Sequence, residues 1–134
     1  MSGLLYLDSS AIAKLVLEEP ESQALRAELP QWDHLLSSVL AGIELRRAIA
    51  RTPDPGGQRL AAAEYILSGV TLVPITDHIA ASAGSVGPPT LRTLDAIHLA
   101  TILVLGRAGV HVAVYDTRLA EAVSANGFTV IAPA

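Results

Sequence analysis

Four carboxylates occupy positions in this sequence where a carboxylate is costly to bury. Asp8 and Asp116 each follow a short apolar run typical of a strand, whereas Glu44 and Asp95 interrupt segments that are otherwise largely apolar. A buried carboxylate is unfavourable unless it is paired or binds a metal ion, and several close together repel one another. Oxygen ligands without sulfur select Mg²⁺ or Mn²⁺. If the fold gathers these acids, the pattern predicts a metal site that activates water for attack on a phosphodiester.

Each acid also has an explanation that needs no metal. Asp8 and Asp116 could cap helices that follow strands, and Asp95 would suit the positive end of the helix in which it lies. Glu44 could pair with an arginine further along its own helix, at position 47 or 51. Sequence leaves these alternatives open, so the metal interpretation depends on whether the four acids meet.

Alternating strand and helix patterns are expected to position these acids. Strands are predicted at 4–7, 34–36, 70–75, 110–115 and 128–131, and helices at 11–19, 21–29, 37–51, 58–67, 76–85, 94–105 and 118–125. This alternation predicts an α/β fold, with one domain over residues 1–134 and a central parallel five-stranded sheet flanked by helices. Such sheets bind ligands beyond the carboxyl ends of their strands, where the strand order reverses. Asp8 and Asp116 would flank that point if the first and fourth strands are neighbours.

Composition narrows the function classes. The chain has no cysteine, which excludes disulfides, thiolate zinc sites and a cysteine nucleophile and fits a cytoplasmic protein. No secretory signal is visible in MSGLLYLDSS, and no run approaches the roughly 20 apolar residues of a membrane span. The net charge of −4 excludes a broad basic surface, so any nucleic-acid contact should be local and assisted by metal ions. Basic residues near the acids are candidates for phosphate contacts or ordinary surface charges: Lys14, Arg46, Arg47, Arg92 and Arg118.

At the four acids the chain resembles the PIN-domain ribonucleases, and among them the VapC-type toxins of toxin–antitoxin pairs. The most specific match is LDAIHLA at residues 94–100. The other matching segments are LDSSA at 7–11 followed by Lys14-Leu15, residues 38–45, and YDTRL at 115–119 with Gly127 beyond it. Together they cover nearly the whole chain.

The resemblance implies a metal-dependent endoribonuclease that uses Mg²⁺ or Mn²⁺ and acts on RNA. The metal ligands it assigns are Asp8, Glu44, Asp95 and Asp116, the last being a position that some relatives lack. The residues expected beside the site are Ser9, Thr117 and His98. It also implies a homodimer or a larger toxin–antitoxin assembly, and an antitoxin partner that can insert an arginine into the acidic pocket.

Two other functions remain open from the sequence. Asp8 could be the nucleophile of an aspartyl phosphotransferase, although those enzymes usually carry a second Asp two positions on, where this chain has Ser10. A non-catalytic interaction module that binds a protein through its apolar helices is the other alternative. The sequence has no G-x-G-x-x-G after a strand and no Walker A motif, which argues against the common nucleotide-binding folds.

Overall fold

Five parallel strands in the order β3-β2-β1-β4-β5 form the centre of the computed structural model, which describes residues 3–134. The strands are β1 (Leu4–Leu7), β2 (His34–Ser38), β3 (Thr71–Val73), β4 (Val110–Ala113) and β5 (Thr129–Ile131). All four neighbouring pairs are parallel. The predicted fold class is therefore confirmed. Residues 1 and 2 of the predicted domain lie outside the described residues.

Seven α-helices connect or follow these strands in the described part of the chain. They are α1 (Ser9–Val16), α2 (Ser22–Glu28), α3 (Val39–Ala50), α4 (Gln58–Ser68), α5 (Asp77–Ala83), α6 (Thr93–Leu105) and α7 (Thr117–Ala125), with 3₁₀ turns at Leu29–Gln31 and Pro55–Gly57. None of the helices in residues 3–134 is long and apolar enough to cross a membrane.

The boundaries differ from the predicted ones for local reasons. Helix α1 begins at Ser9 rather than residue 11, because the Asp8 side chain accepts the backbone N–H of Ala11 and caps the helix directly before Ser9. Strand β3 ends at Val73 rather than residue 75, since Pro74 has no N–H to donate to a neighbouring strand.

The two faces of the sheet carry separate apolar layers. Leu5 and Leu7 of β1 pack with buried residues of α1, α3 and α4 on one face. Tyr6, between them in the strand, packs on the other face with residues of α6 and α7, among them Leu99. Alternate residues of a strand point to opposite faces, and burial of both is expected when helices cover both sides of a parallel sheet.

The strand order reverses between β1 and β4, which lie side by side at the middle of the sheet. Asp8 follows β1 and Asp116 lies just beyond β4, so both acids are at the carboxyl ends of adjacent strands. The neighbour relation on which the sequence argument depended is thus present. It creates the crevice in which open parallel sheets bind ligands.

Candidate active site

A cavity of about 310 Å³ lies at this reversal point, and all four predicted acids line it: Asp8, Glu44, Asp95 and Asp116. Ser9 and His98 line it as well. Thr117, the first residue of α7, is exposed and lies next to Asp116 outside the cavity wall. A larger cavity of about 700 Å³ near Pro88 contains a single carboxylate, Glu121, so the chemistry favours the smaller one.

Asp8 and Asp116 serve the fold and line the cavity at the same time. Oδ1 of Asp116 accepts the N–H of Leu119 at 3.0 Å and caps α7. Oδ1 of Asp8 accepts the Ser10 hydroxyl at 2.6 Å and the Ala11 N–H at 3.0 Å. In residues 3–134 no hydrogen bond reaches Oδ2 of Asp8, which is therefore available to a ligand in the cavity.

Burial raises the pKa of the Asp8 carboxyl above its ordinary value. The hydrogen bonds of the Ser10 hydroxyl and the Ala11 N–H oppose this rise without cancelling it. The ionised form of Asp8 is thus held at a cost in free energy that a cation in the cavity would reduce.

Glu44, on α3, is held by two neighbours from other elements. Its Oε1 accepts the Ser9 hydroxyl and lies 3.1 Å from Nε2 of His98. The alternative in which Glu44 pairs with Arg47 or Arg51 is wrong, because within residues 3–134 its carboxylate makes hydrogen bonds with His98 and Ser9 and no ion pair with an arginine. Burial alone would raise the pKa of Glu44, but the bonds from His98 and Ser9 outweigh it and hold that pKa below its usual value.

His98 is itself anchored from the interior of the sheet. The hydroxyl of Tyr6 lies 2.7 Å from Nδ1 of His98, and both residues are almost completely buried. Sequence reasoning identified His98 as a supporting residue but missed Tyr6. The available signal was a hydroxyl-bearing side chain inside the apolar run Leu4–Leu7, two positions before Asp8.

Asp95, in the first turn of α6, is the least supported of the four acids. No hydrogen bond to its side chain is found among the described residues. Burial is the largest cause of its raised pKa, and the charges of Asp116 and, to a smaller extent, Glu44 raise it further, whereas Arg92 acts in the opposite direction. Asp95 is therefore where the repulsion expected from clustered carboxylates acts most directly.

The donor set fits a hard divalent cation, although the side chains do not converge on one as they stand. Carboxylate oxygens are what Mg²⁺ and Mn²⁺ prefer. Within residues 3–134, however, no group of three or more His, Asp or Glu side chains is arranged so that it could hold a metal ion. Oδ1 of Asp8 and Oε1 of Glu44 are engaged in hydrogen bonds, whereas the second oxygen of each is not. Coordination thus requires rotation of these carboxylates toward a shared point.

Basic side chains of the chain differ in whether a carboxylate already holds them. Three form ion pairs with carboxylates: Lys14, Arg26 and Arg46. Arg92 lines the acidic cavity, and Arg47 and Arg51 line an adjoining groove of about 430 Å³ that shares Ser9 and Glu44 with it. These three arginines form no ion pair within the described residues, so their charges are available to an anion.

Comparison with known proteins agrees with this geometry. The sequence profile of the PIN domain matches residues 5–124. Ribonuclease VapC46 of Mycobacterium tuberculosis is 42% identical over 129 residues, covering 96% of this chain and 97% of the relative. Ribonuclease VapC47 of the same species is 37% identical over 134 residues, covering 97% of each chain.

Solved structures share the fold at low sequence identity. VapBC2 from Rickettsia felis, solved bound to a DNA fragment from its promoter, aligns with a TM-score of 0.77 at 8% identity, covering 98% of this chain and 99% of that one. VapC20 of M. tuberculosis, described as a sarcin–ricin loop cleaving toxin, aligns with a TM-score of 0.70 at 19% identity, covering 96% and 99%. Together, the profile and the full-length relatives show that the chain belongs to the PIN-domain family and, within it, to the VapC-type ribonucleases.

Proposed function

We propose that this chain is a Mg²⁺- or Mn²⁺-dependent endoribonuclease, the toxin of a toxin–antitoxin pair, that hydrolyses RNA phosphodiester bonds with water. The observation that carries the proposal is the meeting of Asp8, Glu44, Asp95 and Asp116 in one cavity at the reversal of strand order. The names of the ribonuclease relatives support the reaction class.

The four acids are the residues that would hold the ion, and each is positioned by a different element. Helix caps fix Asp8 and Asp116, bonds from Ser9 and His98 fix Glu44, and the backbone of α6 places Asp95. A bound divalent ion supplies a lowered pKa for a water molecule and neutralises charge on the phosphodiester.

The rest of the cavity would orient the RNA. Arg92 stands beside the acids and can bond a phosphate oxygen, which places the scissile group next to them. The N-terminal ends of α1, α6 and α7 also lie at the cavity, and their partial positive charge favours an anionic substrate.

We also propose that the chain binds a protein partner of the antitoxin kind and forms a homodimer or, with that partner, a larger assembly. It would act in the cytoplasm, where an RNA substrate is found. Ile43 and Leu94 line the groove beside the active site and are 55% and 45% exposed. Contiguous exposed apolar side chains often mark a protein contact. The VapC names of the relatives and the likeness to VapBC2 support a partner of this type.

The test is cleavage of a tRNA pool and of a single-stranded oligomer by the purified chain, free of antitoxin. Parallel reactions contain Mg²⁺, Mn²⁺ or EDTA, and a second protein carries Asp95→Asn. We expect cleavage only with metal and only by the wild-type chain. Cleavage that persists in EDTA or in the variant, with contaminants excluded, would contradict the proposal.

The same preparations test the two alternatives. A phosphotransferase would form a phosphoenzyme at Asp8, and here Ser10, not a second acid, occupies the position two residues on and donates to Asp8. An interaction module would bind a protein partner equally well after Asp95→Asn and would show no turnover with any metal.

A further inference from the structure

A chain of hydrogen bonds runs from the buried centre of the sheet to the edge of the acidic cavity. The Tyr6 hydroxyl lies 2.7 Å from Nδ1 of His98. On the other side of the ring, Nε2 lies 3.1 Å from Oε1 of Glu44 and 3.0 Å from the Ser9 hydroxyl. Tyr6 is fully buried, so it contacts neither solvent nor the cavity in which substrate would bind.

The donor and acceptor properties of these groups determine the direction in which the hydrogen bonds run. A phenol has an ordinary pKa of about 10, so the Tyr6 hydroxyl carries a proton at neutral pH and can donate. A neutral imidazole has one donor and one acceptor nitrogen. If Nδ1 accepts from Tyr6, Nε2 carries the proton and faces Oε1 of Glu44, which is an acceptor.

The opposite tautomer would be unfavourable at the Glu44 end of the ring. Nε2 would then present a lone pair to the Oε1 oxygen of Glu44, which can only accept, whereas Nε2–H gives that oxygen a donor and leaves Nδ1 to accept from the Tyr6 hydroxyl. The bond that one ring nitrogen makes thereby selects the role of the other.

We propose that Tyr6 is a positioning residue for the active site: its hydroxyl donates to Nδ1 of His98, so that Nε2–H, together with the Ser9 hydroxyl, holds Oε1 of Glu44 and leaves Oε2 to bind the ion. The consequence for function rests on the proposed metal-dependent nuclease, but the tautomer does not. Groups that orient a ligand in this way typically account for about 10- to 100-fold in metal affinity or activity.

The first test is the nitrogen NMR spectrum of the wild-type chain labelled with ¹⁵N-histidine, without metal or RNA. The two ring nitrogens of His98 are assigned with the His98→Gln variant, whose spectrum lacks those signals. We expect Nδ1 without a proton and Nε2 with one at pH 7. A proton on Nδ1, whether in the other tautomer or in the doubly protonated ring, would overturn the proposal.

The second test is Tyr6→Phe, which removes the hydroxyl and keeps the ring. We expect a mixture of His98 tautomers in this variant. We also expect weaker Mn²⁺ binding, seen as a shift of about 10-fold to higher Mn²⁺ concentration in the midpoint of the paramagnetic broadening of NMR signals from residues near the cavity. Tyr115→Phe is the matched control, since Tyr115 donates its hydroxyl to the Pro133 carbonyl and loses a bond of similar length, 2.8 Å. An unchanged tautomer in Tyr6→Phe, or an equal shift in the control, would overturn the proposal.

These outcomes separate the positioning role from the proposed function. The spectra need no RNA cleavage, so a chain with the expected tautomer and no nuclease activity would refute the nuclease and retain the Tyr6–His98–Glu44 arrangement. If Tyr6→Phe fails to fold, the wild-type spectrum alone still decides which nitrogen of His98 carries the proton, and hence the direction of the hydrogen bonds.

Discussion

Replacing Asp95 by Asn should remove metal binding and cleavage without lowering the stability of the metal-free chain. The fold raises the pKa of Asp95 through burial and the charges of Asp116 and Glu44. A carboxyl with a raised pKa in the folded state adds stability as the pH falls and loses that contribution once it ionises. At neutral pH the isosteric amide therefore removes an unfavourable charge, and the described residues make no hydrogen bond to it that would be lost.

The size of the metal effect follows from linkage and chain length. An ion that binds only the folded chain, supplied at a hundred times its dissociation constant, stabilises that chain by about 2.7 kcal/mol. For 134 residues the unfolding entropy is about 0.28 kcal/mol per kelvin. Wild-type protein should therefore unfold about 10 °C higher in saturating Mn²⁺ than in EDTA, whereas Asp95→Asn should show little or no difference.

Differential scanning fluorimetry or calorimetry measures these shifts, with Asp77→Asn as the matched control. Asp77 also lies in the first turn of a helix, α5, but it is exposed and outside the cavity. Both variants lose an interaction with the helix end of about 0.3–1 kcal/mol, which in Asp95→Asn is offset by removal of the unfavourable charge. Asp77→Asn should nevertheless keep the metal shift and the cleavage. A shift of wild-type size in Asp95→Asn, or a greater loss of metal-free stability there than in Asp77→Asn, would refute the reasoning.

Three further predictions concern the core, the groove and pH. Leu99 is fully buried between α6 and the sheet, so Leu99→Ala should cost about 2–5 kcal/mol in urea unfolding; a cost well below that range would contradict the packing. Arg51→Ala should weaken binding of an uncleavable single-stranded RNA and reduce the slope of log affinity against log salt concentration by about 0.7. The control Arg26→Ala, which removes an ion-paired arginine, should change neither quantity. Equal losses in the two variants would contradict RNA binding in the groove. Burial raises the pKa of Asp8 and Asp95, so both carboxyls take up protons at a pH higher than the ordinary carboxyl pKa of about 3.9. As the pH is lowered, the metal-induced thermal shift should therefore disappear before the pH reaches that value. The metal-free chain should gain stability from the same protonation. A thermal shift that persists unchanged to about pH 4 would contradict the raised values.

The parts of the fold that depend on local sequence could be predicted well. Each strand is a short apolar run, and the helix ends carry ordinary signals, such as Ser38 before α3 and Gly69 after α4. The placement of Asp8 and Asp116 after strands also followed from the run of apolar residues before each acid. These features depend on neighbours in the chain, and the chemistry of each segment is therefore sufficient to indicate them.

The parts that depend on distant residues could not be predicted from the pattern alone. Tyr6 and His98 are separated by 92 positions, and Glu44 and His98 by 54. Their contacts exist only because β1 lies beside β4 and α6 packs on the sheet face to which Tyr6 points. An arginine on the same helix was the natural partner for Glu44 from sequence, and the fold supplied a histidine from another helix instead.

Two of the four acids cap helices as well as lining the cavity, whereas the other two have no such structural role. Asp8 and Asp116 lie between a strand and a helix, where their side chains accept N–H groups from the first turns of α1 and α7. Glu44 and Asp95 lie within helices that other residues begin. A lineage that abandons RNA cleavage but keeps the folded chain, for instance as a binding protein, should therefore lose Glu44 or Asp95 first and retain Asp8 and Asp116 longest.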